Sequence, residues 1–411
     1  MKKLSLLLTF PLTLSLALNL DEAIHLGLEK NFQLKESQEI IRQSIKDVDI
    51  QKSSFLPVID ISHSYSQKDT TASFQLKKDS TSSLKISYNL FNGFADYQQL
   101  QSAKHLSQAS KFELDAYKQD IALQIKQEYI SYLQNFMQKQ TYEHAYKLFE
   151  KQFDDAQEKY NLGLLSKNKL LQIDVNRLDA KQTILQAQKD LQLSKKRLSN
   201  ILGGEVIENI EEISIEQIQL PLYEEKDLEN RSEIKNIKEQ IKSLQATLHV
   251  QKSSYYPKLD ISSSYNKYYE NTTSTGMEIF PRDQASISLN ASWRIYKGTE
   301  NFDRIAIYKS KVAQMYNKLS QLRLDIKMQF DEALLNFELA SANYETSKVA
   351  LKQAEENYKL ISIRFKEGLE STSEVIDANY LLANAKERYF NSYYQKFLAV
   401  ETFKRILEFP L

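Results

Sequence analysis

Hydrophobic and polar positions change period several times along this chain, and the changes come in the same order twice. Leu20–Asn31, LDEAIHLGLEKN, has the spacing of a short helix with Asp21 as its N-cap, and 33–54 continues without glycine or proline. Pro57 ends that run, because its ring removes a backbone donor and disfavours helical geometry in the preceding residue. Ile59, Ile61, His63 and Tyr65 then alternate with Asp60, Ser62, Ser64 and Ser66. After a polar stretch at 67–82, read as a loop, Leu84, Ile86, Tyr88 and Leu90 alternate with Lys85, Ser87 and Asn89. Period two predicts a β-hairpin within 57–92. From 95 to 162 there is no glycine or proline, and Leu114, Tyr117, Ile121, Ile125, Tyr129, Tyr132 and Phe136 cover 22 residues in six steps, about 3.7 per step. This predicts one helix, about 100 Å long at 1.5 Å per residue, whose period is too long for tight left-handed supercoiling throughout. Gly163 suits the left-handed position past its end, Ser166 suits the next N-cap, and a return helix is expected over 166–201.

An irregular acidic connector at 205–231 separates this pattern from its recurrence. Gln51–Tyr65 reads QKSSFLPVIDISHSY and Gln251–Tyr265 reads QKSSYYPKLDISSSY, identical at ten of fifteen positions. The second copy predicts a helix from Ser232, a β-hairpin within 257–296 with a polar loop at 267–284, a long helix over 299–367 and a return helix over 371–408. Ile287, Leu289, Ala291, Trp293 and Ile295 carry the apolar alternation of its last strand. Leu351, Ala354, Tyr358, Ile361 and Phe365 step by three and four, a heptad seam. The chain is therefore read as two tandem helix–hairpin–helix repeats, 18–204 and 232–411. In each, the short helix and the return helix together nearly match the long helix in length, so each repeat is two parallel struts with a hairpin at one end and a helical turn at the other.

Composition supports long helices: 411 residues hold only 8 Gly and 6 Pro, with 24 Tyr and no Cys. Met1-Lys2-Lys3 followed by Leu4–Leu18 has the basic and apolar regions of a signal peptide, with Ser15-Leu16-Ala17 at the cleavage site, so 1–17 is assigned to it. Without Lys2 and Lys3 the chain carries 52 basic against 54 acidic residues, unlike the basic footprint of nucleic-acid binding. No later stretch reaches eighteen consecutive apolar residues. Export without a helical anchor leaves a soluble exported protein or an outer-membrane β-barrel.

The strands favour the barrel. Each is about ten residues long with one apolar and one polar face, the length of a membrane-spanning β-strand. Phe55, Phe91, Phe94, Tyr255, Tyr256 and Tyr296 cluster where strands meet helices, as an interfacial aromatic girdle does. Four strands cannot close, and lipid does not tolerate an open edge, so closure calls for several chains; three give twelve strands.

Catalytic signatures are missing from the sequence. There is no phosphate loop, no Gly-x-Gly-x-x-Gly and no His-Glu-x-x-His; His25, His63, His105, His144 and His249 share no ligand spacing. The chain is expected to be neither an enzyme nor a holder of cofactor or metal.

Leu20-Asp21-Glu22-Ala23-Ile24 with Glu29-Lys30-Asn31, the doubled proline junctions, Leu228-Glu229-Asn230-Arg231-Ser232-Glu233-Ile234 and the turn Phe365…Gly368…Ser371…Asp377-Ala378 together resemble the TolC-type outer-membrane efflux family over essentially the whole mature length. Ser232 stands where that family usually has proline. The resemblance implies a homotrimer with a 12-stranded β-barrel in outer-membrane lipid on an α-helical barrel in the periplasm, docked by a periplasmic adaptor protein and coupled to an inner-membrane transporter in efflux or type I secretion. It assigns adaptor docking to the turns (Gly163, Leu164, Leu165, Gly368 and Leu369), whose leucines have no obvious core. It also implies a closing contact, Lys169–Glu370, and an acidic pore constriction at Glu374 and Asp377, three residues apart on one helical face. Phe365 replaces the family's tyrosine. Drug, metal ion and secreted protein all stay open as cargo. The alternative reading is a periplasmic or surface coiled-coil protein of adaptor or adhesin type, which would lack the paired ten-residue strands.

Overall fold

In chain order, helices α1 (Leu20–Lys30) and α2 (Phe32–Ser53) precede strands β1 (Val58–Gln67) and β2 (Leu76–Phe91), followed by α3 (Ala95–Asn161) and α4 (Lys167–Ile201). After a 3-10 turn at Glu225–Asn230 the order repeats as α5 (Ser232–Lys252), β3 (Lys258–Thr273), β4 (Asp283–Ser292), α6 (Glu300–Lys366) and α7 (Thr372–Ile406). This computed structural model describes residues 18–69, 76–207, 209–213, 219–273, 283–367 and 369–410; the expected signal peptide at 1–17 and Gly368 lie outside them.

Local chemistry sets the element ends. Asn19, not Asp21, caps α1: its side chain accepts from the Glu22 amide at 2.8 Å while Glu22 Oε2 accepts from the Asn19 amide at 3.3 Å. This reciprocal box satisfies two otherwise orphaned donors. Asp21 sits in the first turn, where its charge suits the helix dipole. Asn31 breaks α1 from α2, its Oδ1 accepting from the Gln33 amide at 2.9 Å and its Nδ2 donating to Ile201 O at 3.1 Å.

The strands form one antiparallel sheet in the order β1-β2-β3-β4. Ile61 pairs with Leu84 and Leu84 with Tyr265; Tyr88 pairs with Ile261 and Ile261 with Leu289, so apolar positions continue across the sheet. On the other face Ser87, Ser262 and Ser288 share one row, and Asn89, Asp260 and Asn290 another. β2 and β3 are each 16 residues long and run into the segments expected as loops at 67–82 and 267–284. β2 and β3 pair with each other out to Leu76 and Thr273, which extends both through polar residues that carry no alternation. β4 stops at Ser292, short of the expected Trp293 and Ile295.

Two compact units cut across the sequence repeats. One holds the chain up to Glu36, Asp115–Arg231 and Leu324 onward; the other holds Ser37–Leu114 and Ser232–Arg323, including the sheet. In the first, Ile125, Tyr129, Ile130 and Leu133 of α3 are buried, as are Leu198 and Leu202 at the end of α4. Gly27 lets α1 approach closely, since a Cβ there would meet Ile125 Cδ1 at 2.3 Å. The Tyr129 hydroxyl lies 2.7 Å from Glu211 O and 2.9 Å from Leu18 O, so its one proton is shared between the connector and the segment before α1; burial pushes its pKa up. Tyr223, from the connector, meets Phe403 at 5.0 Å and Phe330 at 5.4 Å.

In the second unit small hydroxyls let the helices pack closely. Ser102 Oγ of α3 lies 2.8 Å from Ser243 Oγ of α5, and Asn236 Nδ2 donates to Ala109 O at 2.8 Å. His105 Nδ1 meets Glu239 Oε2 at 2.6 Å, and Lys242 is 2.7 Å from the other oxygen.

Candidate functional site

The sheet is a surface without a core. β1 and β4 are its edges, and every residue of both is exposed. Ile59, Ile61, Leu84, Ile86, Ile287 and Leu289 all stand exposed although they alternate with a polar face. An apolar face and two unpaired edges are untenable in water for a lone chain and equally so in lipid, where each unpaired backbone group costs several kcal/mol.

At the strand-to-helix junction Gly93 has φ +69, and a Cβ there would approach Ser253 O to 2.5 Å, so glycine is required. Phe94 follows at φ 68, a costly conformation for an aromatic residue. Its ring lies edge-on to Phe91 at 5.1 Å and to Tyr256 at 6.1 Å. Tyr255 meets Phe302 at 6.1 Å and accepts at its carbonyl from Trp293 Nε1 at 3.1 Å. Phe55 and Tyr296 are exposed near the ends of α2 and β4. The junction thus brings Phe91, Phe94 and Tyr256 into contact, and Phe302 and Trp293 are partners the sequence reading missed.

At the first helical turn Gly163 adopts φ +75; its amide donates to Tyr160 O and the Leu164 amide to Lys159 O. These bonds satisfy the final carbonyls of α3 and reverse the chain. Leu164 is 75% exposed. Leu165 is not the unsupported leucine that was expected: it is half-buried against Ala156, Leu170 and Ile173, beside Phe153. In the second turn Leu369 donates its amide to Arg364 O and is 65% exposed. Leu162, also exposed, belongs with these residues and was missed.

The expected Lys169–Glu370 contact is not formed within the chain. Glu370 Oε1 pairs with Arg364 Nε at 2.7 Å, while Lys169 Nζ lies 3.4 Å from Gln172 Oε1. Arg364 sits in the last turn of α6, two residues before its end, and reaches the loop directly, a local partner that the sequence reading overlooked. Glu374 completes a capping box on α7: its carboxylate accepts from the Ser371 amide at 2.8 Å, and its own amide donates to Ser371 Oγ at 3.4 Å. That amide, above the other contacts, holds its carboxyl below the usual carboxylate range. Asp377 is exposed in the following turn.

Among the described residues no group of three or more His, Cys, Asp and Glu could hold a metal, and no helix is long and apolar enough to cross a membrane. Residues 23–204 and 225–407 match the pattern of the family described as outer membrane efflux protein. The chain belongs to the outer membrane efflux protein family. The two matched stretches follow the two repeats, and channels of this family act as outer-membrane components of efflux systems with adaptor and transporter partners.

Solved structures similar to this outer membrane efflux protein are channels of the same fold. The CmeC outer membrane channel of Campylobacter jejuni is 16% identical with a TM-score of 0.85, covering 94% of this chain and 85% of that one. The outer membrane protein VceC of Vibrio cholerae is 14% identical with a TM-score of 0.77, covering 94% and 95%. The open state of the MtrE outer membrane channel of Neisseria gonorrhoeae is 14% identical with a TM-score of 0.75, covering 94% and 88%. No curated protein matches the chain in sequence.

Proposed function

We propose that three copies of this chain form a continuous conduit through the outer membrane and into the periplasm, through which an adaptor and an inner-membrane transporter discharge cargo. The observation that carries this reading is the four-stranded sheet with an exposed apolar face and two exposed edges. Pairing β4 of one copy with β1 of the next satisfies those edges. Two copies would give eight strands, an interior about filled by its own side chains, whereas three give twelve and a water-lined bore. The apolar face then meets lipid, the serine and asparagine rows line the channel, and the Phe91–Phe94–Tyr256 cluster marks the membrane interface.

The turns supply the remaining roles. Leu164 and Leu369 offer exposed apolar contacts for the adaptor at turns that include Gly163 and Gly368, with Leu165 bracing the first from within. Glu374 and Asp377 of three copies give six carboxylates at the entrance, a cation-selecting ring. Glu374 serves this role only through the part of its charge that the Ser371 amide leaves unscreened. Single-channel recording in planar bilayers tests the reading: a cation-selective pore is expected, with selectivity reduced in Glu374→Ala/Asp377→Ala. A chain that forms no pore contradicts the conduit; unaltered selectivity in the variant removes the ring.

A further inference from the structure

In the first compact unit, α3, α6 and α7 enclose a groove of about 680 Å3 whose chemistry the conduit leaves unexplained. Leu148, Leu351 and Phe390 give it apolar walls. His144, Lys147 and Lys151 lie on one face of α3, at steps of three and four, and Lys386 enters from α7. Glu355 is the one carboxylate among the lining residues, and among the described residues it pairs with none of the three lysines. Three ammoniums against one carboxylate leave the lining with an excess of positive charge that an anion offsets.

The wall holds a second, independent signal. Asn379 of α7 lines the groove and is only 8% exposed, and its Nδ2 is buried with no hydrogen-bond partner among the described residues. A buried donor without an acceptor costs about 1–3 kcal/mol, so such a group marks a place where an acceptor is due. The volume falls in the range of small-molecule pockets, which are mostly apolar with a few placed polar groups. An ammonium cluster, an unsatisfied amide donor and apolar walls together specify an anionic head on an apolar body.

We propose that this groove binds small amphiphilic carboxylates. The carboxylate accepts from Asn379 and is held in the field of Lys147, Lys151 and Lys386, while the apolar body lies against Leu148, Leu351 and Phe390. A protein partner presenting an acidic side chain is the competing occupant. A small ligand is favoured because the unsatisfied donor belongs to a side chain more than nine-tenths buried, which a compact head group reaches after a small shift of the lining side chains and a side chain carried on a bulky protein backbone does not.

The test uses the full chain in lipid nanodiscs, titrated with para-fluorophenylbutyrate and followed by fluorine NMR. Saturable binding is expected, weakened by added salt and not displaced by the neutral amide of the same acid. Lys147→Glu with Lys386→Glu should weaken it about tenfold or more, through loss of charge-assisted contacts. Asn379→Leu, of similar volume, should weaken it severalfold without changing the salt dependence. Unchanged circular dichroism melting identifies variants that are folded; the lysine pair is suited to this because Lys147 is exposed and Lys386 only half-buried. Non-saturating broadening, equal competition by the amide, or full binding by both folded variants would overturn the proposal. So would variants that lose co-purification with an adaptor while the wild type shows no saturable probe, since the groove then serves a protein.

Discussion

Glu401→Gln tests whether charge holds the end of α7 to α3. Glu401 Oε2 lies 2.5 Å from Lys126 Nζ and its Oε1 2.6 Å from Lys404 Nζ. The Glu401 side chain is 7% exposed and Lys126 16%, whereas Lys404 is 41% exposed. Burial pushes the carboxyl upward, but the two ammoniums outweigh it and hold it below the usual carboxylate range. The solvated Lys404 contact contributes about 0–1 kcal/mol. Stripping one partner from a buried pair costs about 3–5 kcal/mol, and because glutamine still accepts a hydrogen bond from Lys126, the lower end of that range is expected. Glu401→Gln should therefore destabilise by about 3 kcal/mol near neutral pH. Circular dichroism at a fixed heating rate is the assay, with apparent midpoints compared because assembled membrane proteins unfold irreversibly. A group with a depressed folded pKa stabilises fully above its unfolded value, about 4.3, and loses that stabilisation as pH falls through the folded one. The gap between wild type and Glu401→Gln should thus be open at pH 7 and close in acid. Lys126→Met with Glu401→Leu should melt above Glu401→Gln, because the stranded charge is gone. Equal midpoints for wild type and Glu401→Gln at neutral pH, or a gap that survives acidification, would refute the reasoning.

Two further outcomes follow from backbone and burial. Gly93→Ala should lower the melting midpoint and the yield in the outer-membrane fraction, because a Cβ meets Ser253 O at 2.5 Å; Gly163→Ala, with no atom within 4 Å, carries only the cost of positive φ, about 1 kcal/mol. Leu165→Ala should destabilise by about 1–2 kcal/mol as a half-buried leucine, whereas Leu164→Asp with Leu369→Asp should leave melting unchanged and abolish co-purification with the periplasmic adaptor. Undiminished adaptor co-purification in that double variant would remove the turns as docking points.

The architecture was legible wherever a local residue forces the backbone. Pro57 and Pro257 end helices, Gly163 reverses the chain at φ +75, and glycine-free runs become helices of 67 residues. Apolar alternation located β1 and β4, but not the full lengths of β2 and β3. Lys78–Ser83 and Asn266–Thr273 carry no alternation and become strand because β2 and β3 pair with each other there, with β1 also flanking Lys78–Ser83. Leu165, Tyr129 and Glu401 were illegible for a related reason. Their environments come from residues of other helices or the connector, up to 275 positions away in the case of Lys126. At the α6–α7 turn the acidic residues were visible but their duties were not: Glu374 is engaged by Ser371 and Glu370 by Arg364. Sequence proximity was the missing clue in both, since each partner lies within six residues.

Native mass spectrometry of the detergent-extracted full-length protein tests the central claim most directly. The open sheet calls for a closed ring, and the account predicts a complex with the mass of exactly three chains, persisting when the helical turns are altered by Leu164→Asp and Leu369→Asp. A stable single chain would mean that the sheet edges and apolar face are satisfied without a partner copy. Two chains or four would contradict the twelve-stranded barrel.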